Sequence, residues 1–497
     1  MRYLLGVMCC LLLSGLVPAQ ESSTFNMVHQ NLVEGPAVGF SVREVPNGYL
    51  VFSNQRGWYG TPQDPFTTLL SESGIVAQER DYTTSEPTNI GLPDPIAASA
   101  NGLYYCGVTN RSDSLHDRIF LYCFDAIGDT TYTRFVIGDT IMIVRKCLQT
   151  LNNDLLFTGL HESPKEQFCL RTDTMGNILG WFAYPGFDGS GIAEDTSGNI
   201  YLSGQWIYPN QRGSLIKCNA VGAVEWFQLQ PLGPATTGIY RTVIALADGN
   251  ALALGTCTQY LNPFPDQNYA HAACYSGAGD LLWQDTARAT SGSALVAELN
   301  DGYQKSDGNI VTAGSFTSTE TGGHGFVRVY SPNGSVVWDR EFTYYDTIAS
   351  TGTHRIWDVE STNDGGMVLT GEAWHFGQQS PQNLWVVKLD SLGCLVPGCQ
   401  GVGITEQATN WKGALRLWPN PVHVGDVLQV ELPEGLRGAK DARIVLVDQA
   451  GKRLLQEPWR QGQVLQEVII PDIPAGMYYL HLITGGTWLS GGKVVVE

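Results

Sequence analysis

Charged residues are scarce in this sequence, and acidic residues outnumber basic ones. Asp, Glu, Lys and Arg make up 15% of the 497 residues, and the formal net charge is −19. So few charges, together with 43% apolar residues, argue against a disordered chain. The negative charge repels nucleic-acid phosphates and anionic lipid surfaces, so we expect neither as a partner. Its simplest role is to keep the protein soluble.

Motifs of known catalytic and metal sites are also missing. The sequence contains no Gly-x-Ser-x-Gly, His-Glu-x-x-His, Gly-x-x-x-x-Gly-Lys, EF-hand loop or Cys-x-x-Cys. Histidines are scattered along the chain, and although several could converge in the fold, their spacing does not indicate a metal site. We therefore predict no catalytic residue, no cofactor and no metal.

The chain has only one long apolar run, at its N-terminus. Met1-Arg2-Tyr3 precedes an apolar stretch over residues 4–17, and small residues follow. One positive charge, a short apolar core and small residues predict a secretory signal peptide over residues 1–19. The run is too short to span a membrane, and no later segment is apolar enough. We expect an exported protein without a transmembrane segment.

A unit repeated seven times fills the chain as far as residue 400. One copy is a turn and apolar strand at 364–371, followed by a polar loop, a second apolar strand at 384–389 and a turn at Gly393. Seven copies at a mean spacing of roughly 53 residues are typical of propeller blades. Four strands can be traced per unit, and such sheets bury both faces when arranged radially. We predict an all-β fold, with a seven-bladed β-propeller over residues 20–400.

Two further positions recur in the units. A glycine directly follows the first apolar strand at Gly107, Gly159, Gly204, Gly255, Gly314 and Gly371. A tryptophan stands four or five residues after the later turn glycine, at Trp181, Trp226, Trp283 and Trp338. A tryptophan at a fixed place on the last strand suits packing between neighbouring blades. These segments resemble the tryptophan-docking repeats of quinoprotein-like propellers, in packing residues only, and the resemblance implies no quinone.

The seventh unit lacks its last strand, because Pro397 follows the turn where a strand is expected. An open sheet edge of this kind is usually covered. The unassigned strand-like piece upstream of the first unit covers residues 24–32. We predict that this N-terminal strand completes the seventh blade.

Long connections are expected on one face of the ring, since strands within a unit alternate in direction. Binding residues usually lie in such loops. The predicted ligand-binding residues are the aromatic and histidine side chains of these loops: Trp58, Tyr59, Tyr208, Tyr260, Trp374 and His375. They could hold a glycan or a protein ligand, or they could pack within their own loops.

Nine cysteines remain after signal removal, an odd number. Cys394 and Cys399 flank a four-residue stretch, and we predict a disulfide between them. Cys106–Cys123 and Cys257–Cys274 lie on successive strands of one unit. For these, cross-strand disulfides and buried thiols are both open.

The composition changes after residue 400. Residues 401–414 form a linker, and residues 415–497 predict a small β-sandwich with Gly turns. Its marks are Pro419-Asn420-Pro421, the Asp448–Gly451 turn, Gly476-Met477-Tyr478-Tyr479-Leu480 and the terminal Gly492-Lys493-Val494-Val495-Val496.

This segment resembles the type A sorting domain of the type IX secretion system of Bacteroidota. The recurrent positions of that domain correspond to Pro419, Asn420, Pro421, Gly476, Tyr478 and Lys493. The resemblance implies passage through the periplasm, contact with the type IX translocon and a sortase, and a secreted or cell-surface location outside the outer membrane. A fused adhesion sandwich retained on the mature protein is the alternative.

Three functions remain open for the propeller. It could be a binding protein for a glycan, a peptide or a surface protein. It could be a glycan-active hydrolase or lyase with its site in the channel, which two suitably spaced carboxylates would favour. It could also be a structural surface component.

Overall fold

A computed structural model describes residues 24–29, 37–55, 64–82, 97–98, 101–111, 117–140, 142–207, 211–231, 236–259, 267–287, 294–318, 322–344, 352–375, 382–395, 405–406, 415–432, 441–448, 452–460, 462–484 and 487–497. These ranges contain strands and turns and no helix. The protein is therefore an all-β protein over its described part.

Seven four-stranded antiparallel sheets account for the described strands before residue 400. The strands are β1 Phe25–His29; in the first sheet β2 Ala37–Val45, β3 Gly48–Gln55, β4 Asp64–Leu70 and β5 Val76–Asp81; in the second β6 Ala97–Ala98, β7 Tyr104–Arg111, β8 Asp117–Phe124 and β9 Thr130–Thr140; in the third β10 Met142–Gln149, β11 Leu155–Glu162, β12 Lys165–Thr172 and β13 Ile178–Pro185; in the fourth β14 Phe187–Glu194, β15 Ile200–Trp206, β16 Arg212–Cys218 and β17 Val224–Leu229; in the fifth β18 Thr236–Ala245, β19 Ala251–Gln259, β20 Gln267–Tyr275 and β21 Leu281–Ala287; in the sixth β22 Ala294–Gln304, β23 Ile310–Ser318, β24 Gly322–Tyr330 and β25 Val336–Phe342; in the seventh β26 Gly352–Ser361, β27 Met367–His375 and β28 Gln382–Leu389.

The seventh sheet has the order β1-β28-β27-β26, so its fourth strand comes from the N-terminus. Phe25 pairs with Lys388 and His29 with Leu384 in an antiparallel register. The indole Nε1 of Trp385 donates to Asn26 Oδ1 at 2.7 Å, and Asn26 Nδ2 donates to the Thr343 carbonyl at 2.9 Å. The N-terminal strand thus contacts both its own sheet and the sixth.

Each sheet packs on the next through one apolar cluster, and the seventh packs on the first. The cluster between the first and second sheets contains Phe52 and Phe124, and that between the seventh and first contains Val386 and Val51. Corresponding clusters join the other neighbouring sheets. Cyclic packing of four-stranded sheets is the arrangement of a β-propeller.

A β-bulge in the first strand explains the recurrent glycine inside the second strand. The extra residue of the first strand is Phe40, Arg145, Ser190, Arg241, Asn300 or Trp357 in the sheets where the pairing shows it. Opposite the bulge, a β-carbon on Gly314 would lie 1.9 Å from the Glu298 carbonyl oxygen, and one on Gly371 would lie 1.8 Å from that of Arg355. Only glycine leaves room for the bent strand. In the first sheet Ser53 takes this place, and there the residue opposite it is Gly39.

The recurrent tryptophans pack beneath the later turn of the next sheet. A β-carbon on Gly334 would lie 2.4 Å from the Trp283 ring, and one on Gly393 would lie 2.3 Å from the Trp338 ring. Trp226 is placed in the same way under Gly279. Trp181 also packs between neighbouring sheets but on the opposite face: it stacks on Phe168 with ring centroids 5.1 Å apart, against the apolar cluster shared by the second and third sheets.

Alternation along the strand explains this exception. Trp226, Trp283 and Trp338 each stand four residues after their turn glycine, whereas Trp181 stands five after Gly176. An odd offset turns a side chain to the opposite face of its sheet. Phe182 has the even offset, and its ring lies 2.2 Å from where a β-carbon on Gly222 would be.

The C-terminal region forms a five-stranded sheet and a three-stranded sheet that share one apolar cluster. Its strands are β29 Thr405–Glu406, β30 Arg416–Trp418, β31 Val427–Glu431, β32 Ala442–Val447, β33 Arg453–Pro458, β34 Leu465–Ile469, β35 Gly476–Thr484 and β36 Thr487–Val496. The short β29, inside the predicted linker, pairs in parallel with β36.

The cysteines divide into one disulfide partner and a set of buried thiols. Cys394 is disulfide-bonded, and Cys399 lies outside the described residues. Cys106 pairs in register with Tyr122 and Cys257 with Tyr269, so neither thiol faces the cysteine of the successive strand. All four of these strand cysteines are buried thiols. Of the two alternatives, the buried thiol is the one found.

Candidate functional site

The first strands of the sheets are the innermost, and they surround a central channel. Each runs from the connection between two sheets, which we call the link end, to the tight turn that follows it. Three layers follow one another along this direction: the mouth layer formed by the bulge residues, a plug of charged groups, and a cavity at the tight-turn end. The bulge residues precede the plug residues by a single position in several strands.

Ion pairs form the plug. Lys146 Nζ lies 3.3 Å from Asp301 Oδ1, and this pair joins the third sheet to the sixth across the channel. Arg43 Nη1 lies 3.1 Å from Asp358 Oδ2 and 3.2 Å from Glu360 Oε2. The backbone N–H of Val42 also donates to Asp358 Oδ2, at 2.7 Å. Five charged side chains from four sheets therefore meet in the middle of the ring.

The carboxyl groups of Asp301 and Asp358 both lie in the plug and interact electrostatically with each other. Burial raises the pKa of Asp301, and the neighbouring carboxylate adds to that effect while Lys146 opposes it. Burial also acts on Asp358, but Arg43 and the other neighbouring groups hold its pKa below the ordinary range. The two carboxyl groups titrate as a pair, in which Asp301 takes up a proton at a higher pH than Asp358.

A cavity of about 580 Å³ lies on the tight-turn side of the plug. Its polar lining comes from Arg43, Lys146, Gln149, Glu194, Asp195, Thr196, Thr242, Asp301, Tyr303, Gln304 and Glu360. Several of these groups also bridge the sheets at the tight-turn end: Glu194 Oε2 accepts from the Leu151 N–H at 2.7 Å, and Gln304 Oε1 accepts from the Ala247 N–H at 2.8 Å. Part of the lining therefore forms hydrogen bonds between neighbouring sheets.

The link end of the channel carries three loosely spaced arginine–carboxylate pairs. Arg145 Nη2 lies 3.3 Å from Asp188 Oδ1, Arg241 Nη2 lies 3.6 Å from Glu298 Oε2, and Arg355 Nη1 lies 3.8 Å from Glu372 Oε1. We call these the mouth pairs. Trp374 is half-buried and donates from Nε1 to Glu372 Oε2 at 2.8 Å.

Several buried polar atoms of this region have no hydrogen-bond partner. They are Ser190 Oγ, Arg241 Nε, Glu298 Oε1, Asn300 Oδ1, Arg355 Nε and Trp357 Nε1. Ser190 is 7% exposed, Glu298 4% and Asn300 7%. Buried polar groups in proteins are nearly always satisfied. Water or another polar molecule can supply the missing partners of these atoms.

Most predicted ligand-binding residues lie outside the described residues, namely Trp58, Tyr59, Tyr208 and Tyr260. The backbone of His375 ends β27, and its side chain is likewise outside the description. Trp374 joins the mouth pairs through Glu372. The sequence interpretation missed the channel residues, although charges inside otherwise apolar first strands, as at Arg43 and Lys146, were available as a pattern.

The predicted sorting residues come together at the end of the C-terminal region. Asn420 Nδ2 donates to the Lys493 carbonyl at 2.7 Å, and the Val495 N–H donates to Asn420 Oδ1 at 2.8 Å. Gly476 pairs with Val496, and Tyr478 pairs with Val494. Tyr478 also donates its hydroxyl to the Pro474 carbonyl at 2.6 Å. Asn420 thus fixes the last strand beside the two prolines that flank it.

Among the residues of the described ranges, no group of three or more His, Cys, Asp or Glu side chains is placed to hold a metal ion. Within the same ranges no helix is long and apolar enough to cross a membrane.

No family model and no curated protein matches the chain. Solved structures do match it at low identity. The β-propeller domain of the Trilobed protease from Pyrococcus furiosus is 10% identical, with a TM-score of 0.41, over 71% of this chain and 95% of that one. The WD40 domain of SCAP from fission yeast is 8% identical, with a TM-score of 0.33, over 68% and 82%. The extracellular domain of a one-component system from B. thetaiotaomicron is 10% identical, with a TM-score of 0.32, over 93% and 69%. At these values nothing about activity transfers.

Proposed function

We propose that this chain is an exported, seven-bladed β-propeller that binds a ligand at the link end of its channel. The ligand would be a glycan, a peptide or a surface protein. One observation carries the proposal: buried polar atoms without partners gather beside the three mouth pairs. Unsatisfied buried groups cost free energy in a folded protein, and a bound polar molecule removes that cost.

The plug supports a binding role for the link end. The pair Lys146–Asp301 crosses the channel just beyond the mouth layer, so a ligand entering there meets a polar floor. The connections that the sequence predicts to be long leave the described strands at the same end, and rigid scaffolds commonly carry their binding residues in such connections.

We further propose delivery by the type IX secretion system. The signal peptide over residues 1–19 would bring the chain to the periplasm, and residues 415–497, folded as a β-sandwich, would engage the translocon and a sortase. The product would be secreted or held at the cell surface. Support comes from the resemblance of the C-terminal motifs and from the contact between Asn420 and the strand that holds Lys493.

Deleting residues 415–497 tests the export route. The truncated chain should accumulate folded in the periplasm of a host that has this system, since the propeller has its own apolar clusters. Replacing the deleted segment with the same segment carrying Asn420→Ala serves as a control for the motif itself. Normal surface delivery of the truncated chain would exclude the sorting role.

The binding proposal is tested with the purified ring on a glycan array and a peptide library. Arg241→Met, which removes one mouth pair, should abolish or weaken any binding found. Lys305→Met, at an exposed position of the tight-turn end, should leave it unchanged. A ligand that responds to neither variant would place the binding surface elsewhere, and absence of any ligand would favour a structural surface component.

A hydrolase or lyase is the second candidate, favoured by burial of the Asp301 carboxyl group, which raises its pKa. A carboxyl group that keeps its proton is a suitable general acid. Screening the purified ring against glycosidic substrates tests this. Turnover that disappears in Asp301→Asn would support the enzyme, and an inactive wild-type ring would exclude it.

A further inference from the structure

We propose that the mouth layer binds an uncharged saccharide. This inference rests on the proposed binding function and narrows it to one chemical class. Four features of the link end carry it: the mixture of unsatisfied donors and acceptors, the balance of charge, the spacing of the mouth pairs and the presence of indole rings.

The unsatisfied atoms comprise both hydrogen-bond donors and acceptors. Trp357 Nε1, Arg241 Nε and Arg355 Nε can only donate, whereas Glu298 Oε1 and Asn300 Oδ1 can only accept. A hydroxyl group donates one hydrogen bond and accepts up to two. A molecule with several hydroxyls can therefore satisfy both kinds of atom at once, which a carboxylate or an ammonium group cannot.

Charge at this layer is balanced within each of the mouth pairs. Arg145 faces Asp188, Arg241 faces Glu298, and Arg355 faces Glu372. An anionic ligand would approach three carboxylates and a cationic ligand three guanidinium groups, each with partial desolvation. The arrangement therefore disfavours ligands of either charge and favours a neutral molecule.

The mouth pairs are too far apart for good direct hydrogen bonds. The N···O separations of 3.6 Å for Arg241–Glu298 and 3.8 Å for Arg355–Glu372 exceed the range of a good charge-assisted hydrogen bond. The side chains of Arg241 and Arg355 are 35% and 34% exposed, so they can be reached from the channel. A sugar hydroxyl beside a pair, in contact with both guanidinium and carboxylate, would give both groups a better partner.

Indole rings supply the apolar contact that sugar faces need. Trp357 is half-buried, and its ring centroid lies 6.1 Å from that of Phe40 in the neighbouring sheet. Trp374 is held by the carboxylate of Glu372, which belongs to a mouth pair. Aromatic side chains with one polar edge combine a contact surface with a hydrogen bond.

The test uses an array of neutral, acidic and amino-group-bearing oligosaccharides with a peptide set beside it, followed by calorimetric titration of the strongest neutral saccharide. Trp357→Phe keeps the ring and removes the N–H, so affinity should fall about 3- to 10-fold, the effect of one hydrogen bond. Trp283→Phe is the matched control, because its N–H bonds Pro332 O at the rim of the ring, and it should leave affinity unchanged.

The outcomes distinguish the saccharide assignment from the more general binding function on which it rests. Neutral saccharides that bind with little dependence on salt and respond to Trp357→Phe but not to Trp283→Phe would establish it. Selective binding of peptides, or of charged sugars with strong salt dependence, would overturn the saccharide assignment and leave the binding function standing. Failure of every probe would remove both. Neutral saccharides that bind equally well to Trp357→Phe would place their site outside the mouth layer.

Discussion

The ring of Phe25 lies 2.7 Å from the point where a β-carbon on Gly74 would be. Phe25 belongs to the N-terminal strand, which is the outermost strand of the seventh sheet, and Gly74 belongs to a turn of the first sheet. Trp226, Trp283 and Trp338 stand in the same relation to Gly279, Gly334 and Gly393. Phe25 therefore repeats, at the junction of the chain ends, the contact that joins neighbouring sheets elsewhere.

Phe25→Ala should weaken the closure of the ring. Truncating a buried phenylalanine lowers the free energy of unfolding by about 3–5 kcal/mol. We expect a lower denaturant midpoint and faster proteolysis of the N-terminal strand. The control is Ile75→Ala, beside Gly74 but with Ile75 63% exposed, where little change is expected. Equal effects of the two substitutions would contradict the assigned role of Phe25.

Two glycine substitutions should differ because their causes differ. Gly249 has φ +83° with nothing within 4 Å of an added β-carbon, so Gly249→Ala should cost only about 1–2 kcal/mol of left-handed strain. In Gly314→Ala the added carbon would lie 1.9 Å from the Glu298 carbonyl, and the bulge would have to move. Chemical denaturation of the two variants measures the difference. A smaller loss of unfolding free energy for Gly314→Ala than for Gly249→Ala would show that the bulge can move at little cost.

The two aspartates of the plug should respond unequally to the same change. Burial and the neighbouring carboxylate make the charged form of Asp301 costly, so Asp301→Asn should change the free energy of unfolding at neutral pH by less than about 1 kcal/mol. Asp358→Asn removes the negative partner of Arg43 and should cost about 3 kcal/mol. Urea midpoints of both variants provide the measurement. Equal losses would mean that the charge of Asp301 contributes as much to the plug as the charge of Asp358.

The stability of the protein should fall in mild acid through His354. Its Nε2 accepts from the Tyr344 N–H at 3.0 Å while Nδ1 bonds the Gly323 carbonyl at 2.9 Å, so the folded state requires a neutral ring. Burial lowers the pKa of His354 to about 4, from a model-peptide value of 6.5. Between these values the unfolded chain binds more protons, so stability decreases as pH falls from about 6.5 to about 4 and no further below that.

His354→Gln measures this contribution. The difference in unfolding free energy between pH 8 and pH 4 should shrink by at most about 3 kcal/mol in the variant. Adding His271→Gln, at another buried histidine whose pKa burial lowers to about 4, should reduce the difference again. An unchanged pH profile in both variants would assign the acid sensitivity to the carboxylates.

Much of the fold could be predicted because its local rules repeat. Turn glycines mark the strand ends in every unit, and the missing last strand of the seventh unit directs attention to residues 24–32, where the strand Phe25–His29 is found. Trp181 shows the limit of a spacing rule: offsets of four and five residues look alike in sequence, but they turn the side chain to opposite faces and so toward different neighbouring sheets.

The channel could not be predicted in the same way. Lys146 and Asp301 are 155 residues apart in the chain, and only ring closure brings them within 3.3 Å. The bulges were not predicted either, although the recurrent glycine inside the second strand is the residue that they require. The predicted binding residues were aromatic residues of the loops. The charged residues of the channel instead stand singly in apolar strands, which is the pattern that indicates them.

The ion pair between Lys146 and Asp301 spans the channel between the mouth layer and the cavity at the tight-turn end. A molecule that enters near Trp357 therefore meets these two side chains before it can reach Gln304. Substitutions at one opening can be made without changing the residues of the other.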